Sequence, residues 1–234
     1  MWDYYVMGII LLPAIILAVI AQNKVNTTYS AYSKMLSEGG KTAAEIARFL
    51  LDSAGLSNIA VTKVSGHLTD HYDPRKKIVA LSASVYDSTS VAAIGIAAHE
   101  VGHAVQYKEH YAPIKIRSVL IPMTNLASTM LWPLVFIGLL FNYGSTYNNP
   151  IGLFFIWAGV AVFGLAALLN IVTLPVEFDA SNRAVRVLSK TQILTSKETA
   201  GAKKVLSAAA MTYVAAMLVS VLNLVRFLLV VRRD

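Results

Sequence analysis

Between Arg117 and Glu177 the chain carries no Asp, Glu, Lys or Arg, a run of 59 residues without a formal charge. Ordinary soluble domains place a charge on about a quarter of their positions, so a run of this length does not belong on a soluble surface. A helix crosses a hydrocarbon core with about 20 apolar residues. The run holds two such segments, roughly residues 118–141 and 151–174. The sequence FNYGSTYNNP between them, residues 141–150, is short, polar and uncharged, as suits the turn of a helical hairpin. The whole chain follows the same bias, with 56% of its 234 residues hydrophobic and 14% charged.

Two further apolar segments flank this hairpin. Tyr4 to Asn23 is free of charge and headed by Trp2, Tyr4 and Tyr5, aromatics suited to a membrane interface. No basic residue precedes it and Lys24 follows it, which favours a retained anchor over a cleavable signal peptide. The last segment, Val205 to Val231, is interrupted by Arg226 and followed by Arg232 and Arg233. The chain thus divides into an N-terminal anchor (1–23), an extramembrane block (24–117), the hairpin (118–174), a second extramembrane block (175–204) and a C-terminal apolar helix (205–234). The first block has eleven Lys and Arg against eight Asp and Glu, the second six against three, and the hairpin turn has none. This asymmetry puts both blocks on the cytoplasmic side of the cell membrane. The C-terminal Arg pair runs against it, because four full crossings carry that pair outside. Either the charge rule is weakly broken there, or the last segment is partly a buried helix, so three to four spans are expected.

The chain has no cysteine, which excludes disulfides and thiolate ligation and leaves His and carboxylates for any metal. Its net charge of +7 is spread along the chain without an aromatic-basic motif. That pattern points to an anionic membrane surface and to no nucleic-acid partner.

Within the first block, Thr42 and Glu45 stand at capping-box spacing before a helix that should run to Gly55. IAVTKVS from Ile59 reads as a strand, and GHLTDHYDP (66–74) as a turn. KIVALSASVY (77–86) reads as a second strand with a Ser-rich exposed face. Ser88 to Ser90 can cap a helix through VAAIGIAAHEVGHAVQYK.

That helix contains His99-Glu100-Val101-Gly102-His103, an H-E-x-x-H sequence. One helical turn separates the two imidazoles, so both face the same way and can bind one Zn2+. Glu100, about 100° further round, can reach a water at the metal as general base. Two exposed histidines beside a solvated Glu is the bland alternative. It fits poorly within AAIGIAA and AV, which imply a buried helix where unpartnered polar groups are costly.

A catalytic zinc needs a third protein ligand. His67, His71, His110 and the carboxylates are the candidates, and PVEFDASNRAVRVL (175–188) offers Glu177 and Asp179. In a helix Glu177 shares its face with Ala180, Ser181, Ala184 and Leu188, which allow another helix to approach. Asp179 aligns with Arg183, Arg186 and Lys190, a solvated charged face with Asp179 and Arg183 at i,i+4. The arrangement favours Glu177, with an interfacial Glu just after a membrane span as the competing reading. His67 and His71 are four apart but sit among turn residues, and His110 follows the helix end as a cap. Arg183 could stabilise an oxyanion, and Tyr213 or His67 likewise, although a salt bridge, helix packing and a loop position are the simpler roles. Gly102 should let a neighbouring element come close.

HEVGHAVQ, the preceding GHLTDHYDP and KIVALSASVY, and the later LPVEFDASNRA resemble the YugP-type neutral zinc metallopeptidases of membranes, over most of the chain. More distantly, H-E-x-x-H, two intervening spans and E-x-x-A resemble HtpX and the CaaX prenyl endopeptidases. The resemblance implies a mainly α integral membrane protein with a gluzincin-like catalytic body and a small β element. It implies one Zn2+ per chain, His99, His103 and Glu177 as ligands, and Glu100 as base. It also implies that the strand around Ile78 to Val85 forms an edge on which extended substrate docks. The distant relatives carry Asp four residues after the ligand Glu, where it orients a zinc His, and this chain has Ser181, a weaker acceptor. The function read from all this is a zinc-dependent endopeptidase acting on polypeptides at the membrane. A zinc-binding membrane scaffold without peptidase activity is the alternative.

Overall fold

The computed structural model describes residues 8–142 and 150–231. Trp2, Tyr4 and Tyr5, the turn residues 143–149 and the Arg232-Arg233 pair lie outside the described residues. From Leu12 on, the described elements in chain order are α1 Leu12–Tyr32, α2 Ala43–Ser53, β1 Ala60–Val64, β2 His71–Asp73, β3 Ile78–Ser82, α3 Ala83–Tyr86, α4 Val91–Lys108, α5 Ala112–Asn142, α6 Pro150–Lys190 and α7 Ser196–Val231. The chain is mainly helical with one small sheet.

Two compact units divide it. One comprises Ile20–Ile114 and Pro175–Thr212, and the other Lys115–Leu174 with the remaining N- and C-terminal segments. Among the described residues, three helices are long and apolar enough to cross a membrane: Ala112–Gly138, Pro150–Lys190 and Ser196–Leu229. At about 1.5 Å per residue, the 41 residues of α6 extend roughly 60 Å, twice a hydrocarbon core. Pro175, which lacks the N–H that would bond one turn back, sits inside this helix without ending it. Glu177 therefore stands on the same continuous helix as the apolar residues before it.

The first unit named has its own core. Ile46, Leu50 and Leu51 of α2 pack with Val79 and Leu81 of β3, Ile94, Ala97 and Val101 of α4, Ala184 and Leu188 of α6, and Leu206 of α7. The capping box of α2 forms as spaced: Thr42 Oγ1 accepts from Glu45 N at 3.2 Å, and Glu45 Oε2 accepts from Thr42 N at 2.7 Å.

The sheet departs from expectation in three respects. The turn expected over 66–74 contains a strand, β2, too short for its period to show in sequence. β3 ends at Ser82, and residues Ala83–Tyr86 turn helical. Third, the order is β1-β3-β2, with β3 parallel to β1 and antiparallel to β2. β3 is therefore central, with Val79 to Ser82 all buried, and offers no edge for a docking peptide. Beyond the end of β2, the Asp70 carboxylate takes over the pairing by accepting from Ser82 N at 2.7 Å. Free edges belong to β1 and β2.

Candidate metal centre

α4 is the element that builds the site, and both its ends are determined locally. Ser90 Oγ accepts from Ala93 N at 3.2 Å and caps the start. At the other end His110 takes a left-handed conformation, φ 57°, and Tyr111 N donates to Gln106 O at 3.0 Å, closing the last turn. His110 is exposed in this capping position, as its place in the sequence suggested.

Two helices come unusually close to α4. A Cβ on Gly95 would lie 3.2 Å from Ala202 Cβ of α7, and a Cβ on Gly102 only 2.8 Å from the Ala180 carbonyl oxygen of α6. Gly102 thus serves the close approach expected of it. The approach brings the turns of α6 beyond residue 174, with buried Val176, Glu177 and Ala180, against the histidine face of α4.

On that face His99 Nε2 lies 3.2 Å from Glu177 Oε2, and His103 Nε2 lies 3.6 Å from the same oxygen. The two imidazoles meet edge to face with centroids 4.7 Å apart. One ligand atom from each of the three residues lies within 4.8 Å of the other two. Zinc binds His nitrogen and carboxylate oxygen at about 2.0–2.2 Å, so tetrahedral ligand atoms stand roughly 3.4 Å apart. The observed separations bracket that spacing, and the donor set of two imidazoles and a carboxylate suits Zn2+.

The outward nitrogens are held as well. His99 Nδ1 is hydrogen-bonded with Ser181 Oγ at 3.2 Å, and His103 Nδ1 donates to Gln106 Oε1 at 3.0 Å. With Nδ1 engaged by Ser181 and Gln106, Nε2 is the nitrogen of each ring that faces Glu177, and once its proton is displaced it is the one that can ligate a metal. Gln106 is completely buried. Its amide nitrogen donates to the Val176 carbonyl and to Asp179 Oδ2, both at 2.8 Å. Asp179 also accepts from Arg183 Nε at 2.6 Å, and Arg183 reaches Glu109 Oε2 at 2.6 Å. A continuous polar chain therefore runs from Glu109 through Arg183, Asp179 and Gln106 to His103. The i,i+4 pair of Asp179 and Arg183 forms as its spacing predicts, but Asp179 is no mere member of a solvated face. It anchors a buried amide.

Burial raises the cost of charge on Glu177, which is 2% exposed, yet the hydrogen bonds from His103 and His99 outweigh it and hold the carboxyl far below the usual range. Burial likewise opposes the charged form of His103, and the bond to Glu177 and the field of Glu100 reverse it, raising its pKa above the ordinary histidine value. The cluster is polarised as a metal site requires, with an anionic carboxylate facing two imidazoles. Glu100 is 7% exposed, and none of the hydrogen bonds among the described residues engages its carboxylate.

The remaining candidates stand elsewhere. His67 is exposed, with its ring against Tyr29 at 5.4 Å between centroids. His71 is exposed on β2 and donates from Nδ1 to the Thr69 carbonyl at 2.9 Å. Tyr213 belongs to the other compact unit. Gln106 and Glu109 escaped the sequence reading. The available signal was spacing: Gln106 follows His99 and His103 at i+7 and i+3, on the same face of α4.

Two imidazoles one turn apart on one helix and a carboxylate from a second form a group that could hold a metal ion. The chain belongs to the family described as "Putative neutral zinc metallopeptidase", which it matches over residues 7–232. It is 44% identical over 210 residues, 90% of this chain and 89% of its counterpart, to the "Putative membrane protease YugP" of Bacillus subtilis. No solved structure matches it.

Proposed function

We propose that the protein is a membrane-embedded zinc endopeptidase whose site is His99, Glu100, His103 and Glu177. The convergence of His99 Nε2, His103 Nε2 and Glu177 Oε2 within 4.8 Å carries this reading, and membership of a zinc metallopeptidase family supports it. One Zn2+ per chain, when bound there, supplies Lewis-acid polarisation and acidifies a water. Glu100 takes the proton of the attacking water at its carboxylate and returns it to the leaving amine. Ser181 and Gln106 keep the two imidazoles in the tautomer and orientation that ligation needs. Arg183 is committed to Asp179 and Glu109, so its role is to hold the Gln106 network rather than to meet an oxyanion.

The catalytic body is gluzincin-like, formed by residues 24–117 and 175–204, with 1–23, 118–174 and 205–234 as membrane segments. The site faces the cytoplasm, and substrates are polypeptides at or near the bilayer. The edges open to an extended substrate are those of β1 and β2, because β3 is paired on both sides.

The deciding experiment is Glu100→Gln in detergent-purified protein. Zinc content and melting temperature should match wild type while casein hydrolysis falls by at least a hundredfold, as for loss of a general base. Undiminished hydrolysis rejects the mechanism, and zinc binding with no hydrolysis in wild type leaves a zinc scaffold. Orientation is tested by an impermeant thiol reagent on intact cells, which should label Ser145→Cys and spare Ser65→Cys.

A further inference from the structure

Glu177 stands where the exposed face of α6 changes character. Every exposed residue described on this helix as far as Phe178 is apolar, Trp157, Leu168, Ile171 and Pro175 among them. Every exposed residue beyond it is polar: Asn182, Arg186, Ser189 and Lys190. Leu168, Ile171, Pro175, Phe178 and Asn182 are separated by three or four positions, so they form one stripe along the helix. A lone exposed Phe needs no explanation, but a stripe that is apolar over several turns and then polar does.

The same change occurs on α1 and α7. Exposed residues of α1 are apolar from Leu12 to Ile20 and polar from Gln22 to Ser30. On α7 the exposed Lys203, Lys204 and Ser207 give way to the exposed Met211. Tyr32 meets Gly201 while Lys24 shares a groove with Met211, so α1 and α7 lie side by side in opposite directions and change at one height. A bilayer surface imposes such a boundary on every helix that reaches it, whereas a docked protein covers a patch on one side.

At 1.5 Å per residue Glu177 lies roughly 7–8 Å short of Asn182 along the helix axis, and each headgroup layer of a bilayer is about 5–8 Å thick. Glu177 is buried and turned to the imidazoles, so its charge does not face lipid. We propose that the metal centre lies in the interfacial layer of the bilayer, and that its substrates are membrane-anchored chains cut within about one helical turn of the end of their spanning segment. The depth stands by itself, while the substrate class rests on the peptidase reading.

The chain has no cysteine, so Ile171→Cys, Phe178→Cys, Asn182→Cys and Arg186→Cys can each carry a single nitroxide. Electron paramagnetic resonance of the full-length protein in vesicles of phosphatidylcholine and phosphatidylglycerol compares collisions with oxygen, which concentrates in hydrocarbon, and with a water-soluble nickel chelate. Melting temperatures near wild type establish that the labelled proteins are folded. Labels at Ile171→Cys and Phe178→Cys should favour oxygen, and access to nickel should rise about tenfold from Phe178→Cys to Arg186→Cys. A label at Phe178→Cys as open to nickel as that at Arg186→Cys puts the centre in water and overturns the proposal. Shielding of Ile171→Cys and Phe178→Cys from both reagents also overturns it, because another protein surface then covers the stripe.

In the same vesicles wild type is given a single-span peptide with a long uncharged tail, and the fragments are weighed. Cuts within a turn of the span should outnumber those farther out by about tenfold, and cuts spread evenly along the tail overturn the substrate class. Hydrolysis of neither this peptide nor casein removes the peptidase reading and the substrate class with it, whereas the label depths decide the position of the centre on their own.

Discussion

A Cβ added to Gly102 would stand 2.8 Å from the carbonyl oxygen of Ala180, closer than such atoms approach in real structures. The metal centre depends on this contact, because His99 and His103 flank Gly102 on α4 while Glu177 lies one turn before Ala180 on α6. The obstacle is backbone, which cannot rotate away as a side chain can. Gly102→Ala should push the helices apart, costing about 1–3 kcal/mol as overpacking does. Zinc affinity should fall together with melting temperature. Competition with a chelator and thermal unfolding in detergent measure the two, and an unchanged zinc affinity would show that the helices accommodate the methyl group elsewhere.

Gln106 is the second point of control. Gln106→Leu keeps the volume of a buried side chain but removes the acceptor of His103 Nδ1 and the amide donor to Asp179. Loss of such a support typically weakens metal binding by about 10–100-fold. Asp179→Ala should act through the same amide and give a smaller loss, while Arg186→Ala should give none. Zinc titration of the three variants checks the order.

The two carboxylates of α6 separate by role. Glu177→Ala removes a carboxylate oxygen 3.2 Å from His99 Nε2 and, on the proposed assignment, should abolish stoichiometric zinc in elemental analysis. His99→Ala and His103→Ala should do the same. Zinc retained in Glu177→Ala but lost in Asp179→Ala would transfer the ligand role.

Metal removal should act on stability as well as on activity. A ligand bound only by the folded state stabilises it by roughly 2.7 kcal/mol at a hundred times its dissociation constant. Exhaustive chelation should lower the melting temperature of wild type, and added Zn2+ should restore it. Glu177→Ala should melt at the same temperature with and without chelator.

Glu198 makes a separate prediction about pH. Burial disfavours its charge, but its carboxylate accepts from Glu38 N at 2.7 Å and Thr195 N at 2.8 Å, so its pKa is lowered in the fold. A depressed carboxyl stabilises fully above its unfolded value, about 4.3, and loses that stabilisation as pH falls through the lower folded value. Glu198→Gln should therefore cost about 1–2 kcal/mol at pH 7 and progressively less in acid. Melting curves of both proteins across pH 3 to 7 test the convergence.

Much of this molecule was written in short-range spacing. The 59 uncharged residues after Arg117, the Thr42–Glu45 capping box and the four-residue step from His99 to His103 each depend on neighbours within a turn or on bulk polarity. Such features survive in any fold that keeps the helix, so the chain alone determined them. Even the facial division of Glu177 from Asp179 is a property of one helix.

Tertiary structure decided what joins distant segments. The alternation in KIVALSASVY predicts a strand with a Ser-rich exposed face, yet β3 is central in its sheet with Val79 to Ser82 all buried, and strand order is set by which segments meet rather than by period. Ser181 meets His99 across 82 positions and Gln106 meets Asp179 across 73. No local propensity encodes those distances. They exist because Gly102 lets α6 lie against α4, and the buried polar groups so enclosed must find partners or be lost to water.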